Sequence, residues 1–176
     1  LSFNHFECIP ELVFDFKKLL HLNVIQNQLS FIPKEIENFC NLKILFLDNN
    51  RIRMLPDELG ELKNLKILGL GWNLLTSLPK TMKTLRSLLR LDLHHNQFKV
   101  FPSVLCSPEL HLHTLTMDNN RIQVVPESAK KLISSTDFTI HRNPIQLKSS
   151  LAFSNTDKLF INTIMSHDNN SKPRGT

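Results

Sequence analysis

Glycine is scarce in this chain, with four residues in 176, and cysteine is scarcer at three. A phosphate-cradling loop needs glycines where a strand opens into a helix. The nearest candidate, Gly69-Leu70-Gly71, falls inside a strand pattern, which argues against a nucleotide site. Cys8, Cys40 and Cys106 are uneven in number and far apart, so they supply neither a disulfide framework nor a zinc site and fit a reducing compartment. No apolar run nears the roughly 18 to 20 residues of a membrane helix. Charge of one sign is not segregated either. A net charge of +5 and a pI near 9.2 raise nucleic acid or an acidic membrane surface as partners. Lys80, Lys83, Arg86, Lys130 and Lys131, however, share their side of the repeat with Glu35, Glu37, Asp57, Glu58 and Glu61, which reads as a solvated face. No nucleic-acid partner is expected. Nor does the chain display a nucleophile, a base and an orienting group in close array, so it is read as non-enzymatic.

Leucine in a fixed frame is what the chain has in abundance. Asparagines 4, 27, 50, 73, 96, 120 and 143 follow at intervals of 23, 23, 23, 23, 24 and 23 residues. Around them, Leu42, Leu45, Leu47, Asn50, Ile52, Leu55, Pro56, Leu59 and Leu62 return as Leu65, Leu68, Leu70, Asn73, Leu75, Leu78, Pro79, Met82 and Leu85. One such unit cannot bury its own leucines and must stack on copies of itself, so the expected fold is an α/β repeat solenoid. The L-x-L segment predicts a short strand with leucines inward and intervening residues outward, on a concave parallel sheet. An asparagine amide inside each coil can supply donors and an acceptor to turning backbone. The L-P-x-x-L-x-x-L half predicts a short helical or 3₁₀ segment on the convex side.

Residues 1–147 are expected to hold about seven units, the first of them incomplete. Leu1, Asn4, Phe6, Ile9, Pro10, Val13 and Phe16 fill its later slots, as though the chain were a fragment of something longer. The extra residue of the 24-residue interval falls near Ser107, Pro108 and Glu109, on the convex return, and the last unit has Ser135 where its first leucine belongs. Residues 148–166 predict a helical cap over the open end, and 167–176 a disordered tail whose Asn169-Asn170-Ser171 sequon reads as a chance match.

This frame resembles the leucine-rich repeat superfamily, in particular the 23-residue intracellular class of Ras-pathway scaffolds, Ras-suppressor proteins, the Scribble and Erbin group and plant Ras-group-related proteins. Asn143, Pro144 and Ile145 are similar to the close of final repeats in such proteins. The resemblance implies a cytoplasmic, intracellular scaffold or adaptor in signal transduction. Its partner would be a small GTPase or a kinase or phosphatase assembly. An alternative is the recognition region of a larger ligase, kinase or cyclase, and another is a charge-driven binder of nucleic acid or a membrane surface.

A fold of this kind presents surfaces, and its outward strand residues form columns. Ile25, Ile44, Phe46, Ile67 and Trp72 gather apolar surface in the N-terminal half, with Gly69 and Gly71 expected to leave a dip among them, and such a cluster marks a protein contact. Asp48, Arg90, Asp92, His94, Asp118 and His141 supply a charged half, joined by Asp137 and Arg142. Asp92, His94 and Asp118 make a metal site conceivable, but no spacing imitates a known zinc motif, and neither metal nor cofactor is expected. Seven strands at about 4.8 Å would make a concave arc about 30 Å long.

Overall fold

The computed structural model describes residues 1–146; the expected cap and tail lie outside them. Six three-residue strands, β1 (His21–Asn23), β2 (Ile44–Phe46), β3 (Ile67–Gly69), β4 (Arg90–Asp92), β5 (Thr114–Thr116) and β6 (Asp137–Thr139), pair in parallel in chain order. Their central residues, Leu22, Leu45, Leu68, Leu91, Leu115 and Phe138, stand in register. All six are buried, so one leucine slot per coil builds a continuous inner wall. The first coil contributes no strand. The arc therefore has six strands instead of seven and, at about 4.8 Å per spacing, extends about 24 Å.

On the convex side each coil returns through a 3₁₀ segment that begins directly after a proline: Glu11–Asp15, Lys34–Asn38, Asp57–Glu61, Lys80–Thr84, Ser103–Cys106 and Glu127–Ala129. Proline is suited to this entry because its fixed φ leads into the turn and its missing N–H would find no partner there. Leu110 N–H bonds to the Ser107 carbonyl, closing a turn that absorbs the extra residue while β4 and β5 stay in register. The sixth segment continues as α1 (Lys130–Ser135), which buries Ile133 and leaves Ser135 exposed. Helical winding thus moves the core position two residues back, and the missing leucine is not needed.

One core assignment changes. Phe16, expected inside, is 62% exposed, whereas Phe14 is buried at 5%. Phe14 stacks on Phe39 of the second coil with centroids 5.3 Å apart. The slot of Phe16 is occupied in the next two coils by Phe39 and Leu62, which are buried with a coil on each side. The first coil has a described neighbour on one side only, and its aromatic side chain turns toward that neighbour.

Between strand and return the backbone turns through a left-handed residue at every corner: Phe3, Gln26, Asn49, Trp72, His95, Asn119 and Arg142 have φ between 51° and 58°. Each precedes an asparagine. Asn73 shows what that asparagine does: its Nδ2 donates to the carbonyls of Leu70 and Gly71 in its own coil and of Leu47 in the coil before. Its Oδ1 accepts the N–H of Ile52, also in the preceding coil, at 3.0 Å. The same set recurs for Asn27, Asn50, Asn96, Asn120 and Asn143, all buried. Asn4 is the exception. It is exposed and its amide reaches only Leu1 and Ser2.

Asn73→Leu leaves the buried Ile52 N–H unpaired, at roughly 1–3 kcal/mol, while the Leu47 carbonyl keeps the Asn50 amide as a donor. Chemical denaturation is expected to show a loss of about 2 kcal/mol for Asn73→Leu and less than about 0.5 kcal/mol for Asn4→Leu. Equal losses would separate the ladder from stability.

Candidate functional site

The pleat sends the first and third residue of each strand to the concave face, and the register sets who stands beside whom. Ile44 faces Ile67, which faces Arg90; Phe46 faces Gly69, which faces Asp92. Six of the expected contact residues, Ile25, Phe46, Asp48, Ile67, Arg90 and Asp92, line one cleft of about 210 Å³ with Leu68 and Gly69 at its base. Ile44 lies beside it on β2, outside the lining. A larger convex cleft of about 400 Å³ opens at the 24-residue irregularity and includes His111 and His113.

The expected dip at Gly69 and Gly71 is filled by their neighbours, and both glycines are buried. A Cβ on Gly69 would overlap the Asp48 carboxylate and press on Phe46, and one on Gly71 would overlap the His94 ring. The glycines let these side chains lie flat against the sheet. Asp48 Oδ1 there accepts the Gly71 N–H at 2.8 Å.

The polar half divides into two carboxylate–imidazole pairs. Asp92 Oδ1 accepts from His94 Nδ1, from the His94 backbone N–H and from the Thr116 hydroxyl. Because the carboxylate only accepts, the His94 proton sits on Nδ1. One turn of sheet further, Asp118 Oδ1 accepts the His141 backbone N–H at 2.6 Å and faces His141 Nδ1 at 3.1 Å, while its Oδ2 takes the Thr139 hydroxyl at 2.7 Å. Asp118 is therefore committed to His141 instead of completing a ligand set with Asp92 and His94. Among the described residues no group of three or more His, Cys, Asp or Glu side chains is arranged to hold a metal ion.

The two cleft carboxylates are tuned in opposite directions. Burial pushes Asp48 above its ordinary range and the Asp92 charge adds to this, with the Gly71 N–H offsetting only part. Burial acts upward on Asp92 too, but hydrogen bonds from Thr116 and His94 outweigh it and hold that carboxyl below the usual value. His95 is held low by burial and by its neighbours His94 and Arg142, against the opposing Asp118 charge.

Trp72 is half exposed at 50%, on the left-handed corner of the fourth coil. Its indole stacks on His95, centroids 3.6 Å apart and planes 9° from parallel, and meets the His94 ring edge-on at 6.2 Å. Sequence columns placed Trp72 outward but missed this stack, and they missed Thr116 and Thr139 as partners of the carboxylates. The signal was present: each residue stands one coil along from the group it contacts.

The sequence profile of the leucine rich repeat family matches residues 40–98, within the six-strand arc. The fold is a leucine-rich repeat solenoid. A leucine-rich repeat protein of Leptospira interrogans is 28% identical, with a TM-score of 0.64 over 85% of this chain and 45% of that one. The leucine-rich repeat ectodomain of the plant membrane receptor kinase GASSHO1/SCHENGEN3 from Arabidopsis thaliana, solved in complex with CASPARIAN STRIP INTEGRITY FACTOR 2, shares the fold. There the identity is 24% and the TM-score 0.60, over 78% of this chain and 20% of that one. The chain thus spans less than half the length of either solved array. No curated protein matches it. Leucine-rich repeat arrays are commonly non-enzymatic protein-interaction modules, and among the described residues no helix is long and apolar enough to cross a membrane.

The opposed tuning of the two aspartates predicts opposite pH dependences. A raised folded pKa means that ionised Asp48 costs stability at neutral pH, so Asp48→Asn is expected to unfold at higher denaturant than the parent at pH 7. That gain shrinks as pH falls through the window just above 3.8, the ordinary Asp value. Asp92→Asn is expected to unfold earlier at pH 7, and the parent's advantage disappears as pH falls below 3.8 toward the depressed folded value. Denaturation midpoints from pH 2.5 to 7 read both, and slopes of the same sign would contradict the assignment.

Proposed function

We propose that this chain is a non-catalytic protein-interaction module of the 23-residue intracellular class, a signalling scaffold or adaptor that holds a protein partner on its concave face. The observation that carries this reading is the composition of that face. Ile25, Phe46 and Ile67 line a cleft, and half-exposed Trp72 stands beside carboxylates and imidazoles already fixed by their neighbours. Aromatic anchors next to oriented polar groups are what protein contacts use, because the rings lose little rotamer freedom on binding and the charges set register. The stack on His95 holds the Trp72 ring in place before a partner arrives. Free thiols at Cys8, Cys40 and Cys106 support a reducing, intracellular setting. By resemblance the partner is a small GTPase or a kinase or phosphatase assembly. We assign the recognition to residues 1–147, and to residues 148–166 the role of covering the last coil.

The test is affinity capture from cell lysate by the full chain and by a Trp72→Ala, Phe46→Ala double variant, at moderate salt. Trp72→Ala alone is expected to change stability by less than about 1 kcal/mol, since it removes a surface ring from a strained corner. Loss of a discrete partner by the folded double variant is the expected result. Identical capture by both chains would remove the concave apolar cluster from function, and capture that falls steeply with salt in both would favour the charge-driven alternative.

A further inference from the structure

The concave cleft has apolar walls and one carboxylate that the rest of the protein leaves unfinished. Ile25, Phe46 and Ile67 form the walls, the Asp48 carboxylate and the Phe46 ring lie over Gly69, and Asp92 lines the same cleft. The two aspartates differ in what they already hold. Asp92 is engaged by His94 and Thr116. Asp48 Oδ1 takes the Gly71 N–H, and its Oδ2, which overhangs Gly69, receives no hydrogen bond from another of the described residues. Arg90, also in the lining, forms no ion pair with either aspartate among the described residues, and the cleft carries one more carboxylate than guanidinium.

An apolar channel ending at an underused, half-buried carboxylate matches one kind of side chain, an aliphatic stem with a cation at its tip. We propose that this cleft takes an arginine or lysine side chain of a protein partner, with its stem against Ile25, Phe46 and Ile67 and its cation on Asp48 beside Asp92. This rests on the concave face being the partner surface and specifies the chemistry it selects. The incoming cation supplies the hydrogen bonds that Asp48 Oδ2 lacks and offsets the mutual repulsion of the two carboxylates. Arg90 sets polarity: it stands on the flank occupied by Ile67 in the coil before and repels a cation that enters from that side. The raised proton affinity of Asp48 agrees, because a buried carboxylate without a cation is the state in which such a shift arises.

The experiment is an NMR titration of the full chain with N-acetyl-arginine amide. N-acetyl-citrulline amide serves as its neutral isostere, and N-acetyl-norleucine amide carries a stem without a head. Saturable shifts of the Gly69 and Gly71 amides are expected with the arginine probe in the millimolar range, weakened about tenfold or more with citrulline and in Asp48→Asn. That variant keeps an acceptor for the Gly71 N–H. If it does not fold, the arginine–citrulline comparison on the parent chain decides alone. Equal shifts from arginine and citrulline, shifts from norleucine alone, or no saturable shift would each overturn the proposal. In the lysate assay, a partner retained in full by folded Asp48→Asn but lost by the Trp72→Ala, Phe46→Ala variant overturns the cation and leaves the concave-face reading standing. A partner retained by all of them removes the reading itself.

Discussion

A coil of this array is closed by an asparagine that cannot be satisfied inside its own coil. Its amide donates backward to a carbonyl of the previous corner, and its oxygen accepts an N–H from the residue two past the previous asparagine. Every buried coil–coil boundary therefore contains a polar bond set that forms only when both coils are in register. The leucines provide most of the driving force, but apolar packing tolerates slippage, and a one-residue slip would turn outward residues in. The asparagine ladder makes such a slip costly, because it would strand buried donors and acceptors. The strands can consequently be as short as three residues, and the sheet still keeps its pairing across the 24-residue interval.

This constraint also explains the position of the functional surface. Inward slots are fixed by the ladder and the leucine wall, so variety is confined to the outward strand positions and the left-handed corners. Those corners are sterically unfavourable for most residues. At successive corners the chain places Gln26, Asn49, Trp72, His95, Asn119 and Arg142. Asn suits such a corner, whereas Trp72 has no conformational advantage there, and its ring is repaid by stacking on the next corner, His95. The repeat carries each outward side chain onto the shoulder of its counterpart about 4.8 Å away. Beside the Asp92–His94 pair within one coil, contacts on the concave face accordingly run between coils: Asp48 with Gly71, Asp92 with Thr116, Asp118 with Thr139.

The fold was legible because its signal repeats. Seven in-frame units specify the strand, the proline-led return and the asparagine, and the structure departs from them only where repetition stops. Phe16 was misplaced because the first coil has a described neighbour on one side, so the residue that packs is Phe14, which meets Phe39. Seven units became six strands for the same reason. The concave site was legible as columns but not as contacts. The frame puts Asp92, His94 and Asp118 near one another, yet hydroxyls outside the charged set, on Thr116 and Thr139, and a backbone N–H decide which pairs form. The apparent dip at Gly69 and Gly71 failed similarly, since a missing side chain is an opening only when longer neighbours do not fold over it.

Asp48 is where these constraints meet. Its column continues with Gly71, His94, Asp118 and His141, and in that series it is the carboxylate without an imidazole partner one coil along, because glycine stands where Asp118 finds His141. The substitution removes a partner and the bulk that would have buried Asp48 completely. It leaves a half-buried carboxylate held by the Gly71 N–H and lining a cleft with Ile25, Phe46 and Ile67. Pairing it internally would be simple for a sequence that pairs Asp92 and Asp118 two and three coils along. The fold supplies partners to Asp92 and Asp118 but leaves Asp48 without an imidazole or hydroxyl among the described residues, and a cation delivered by a partner is the chemistry that would complete it.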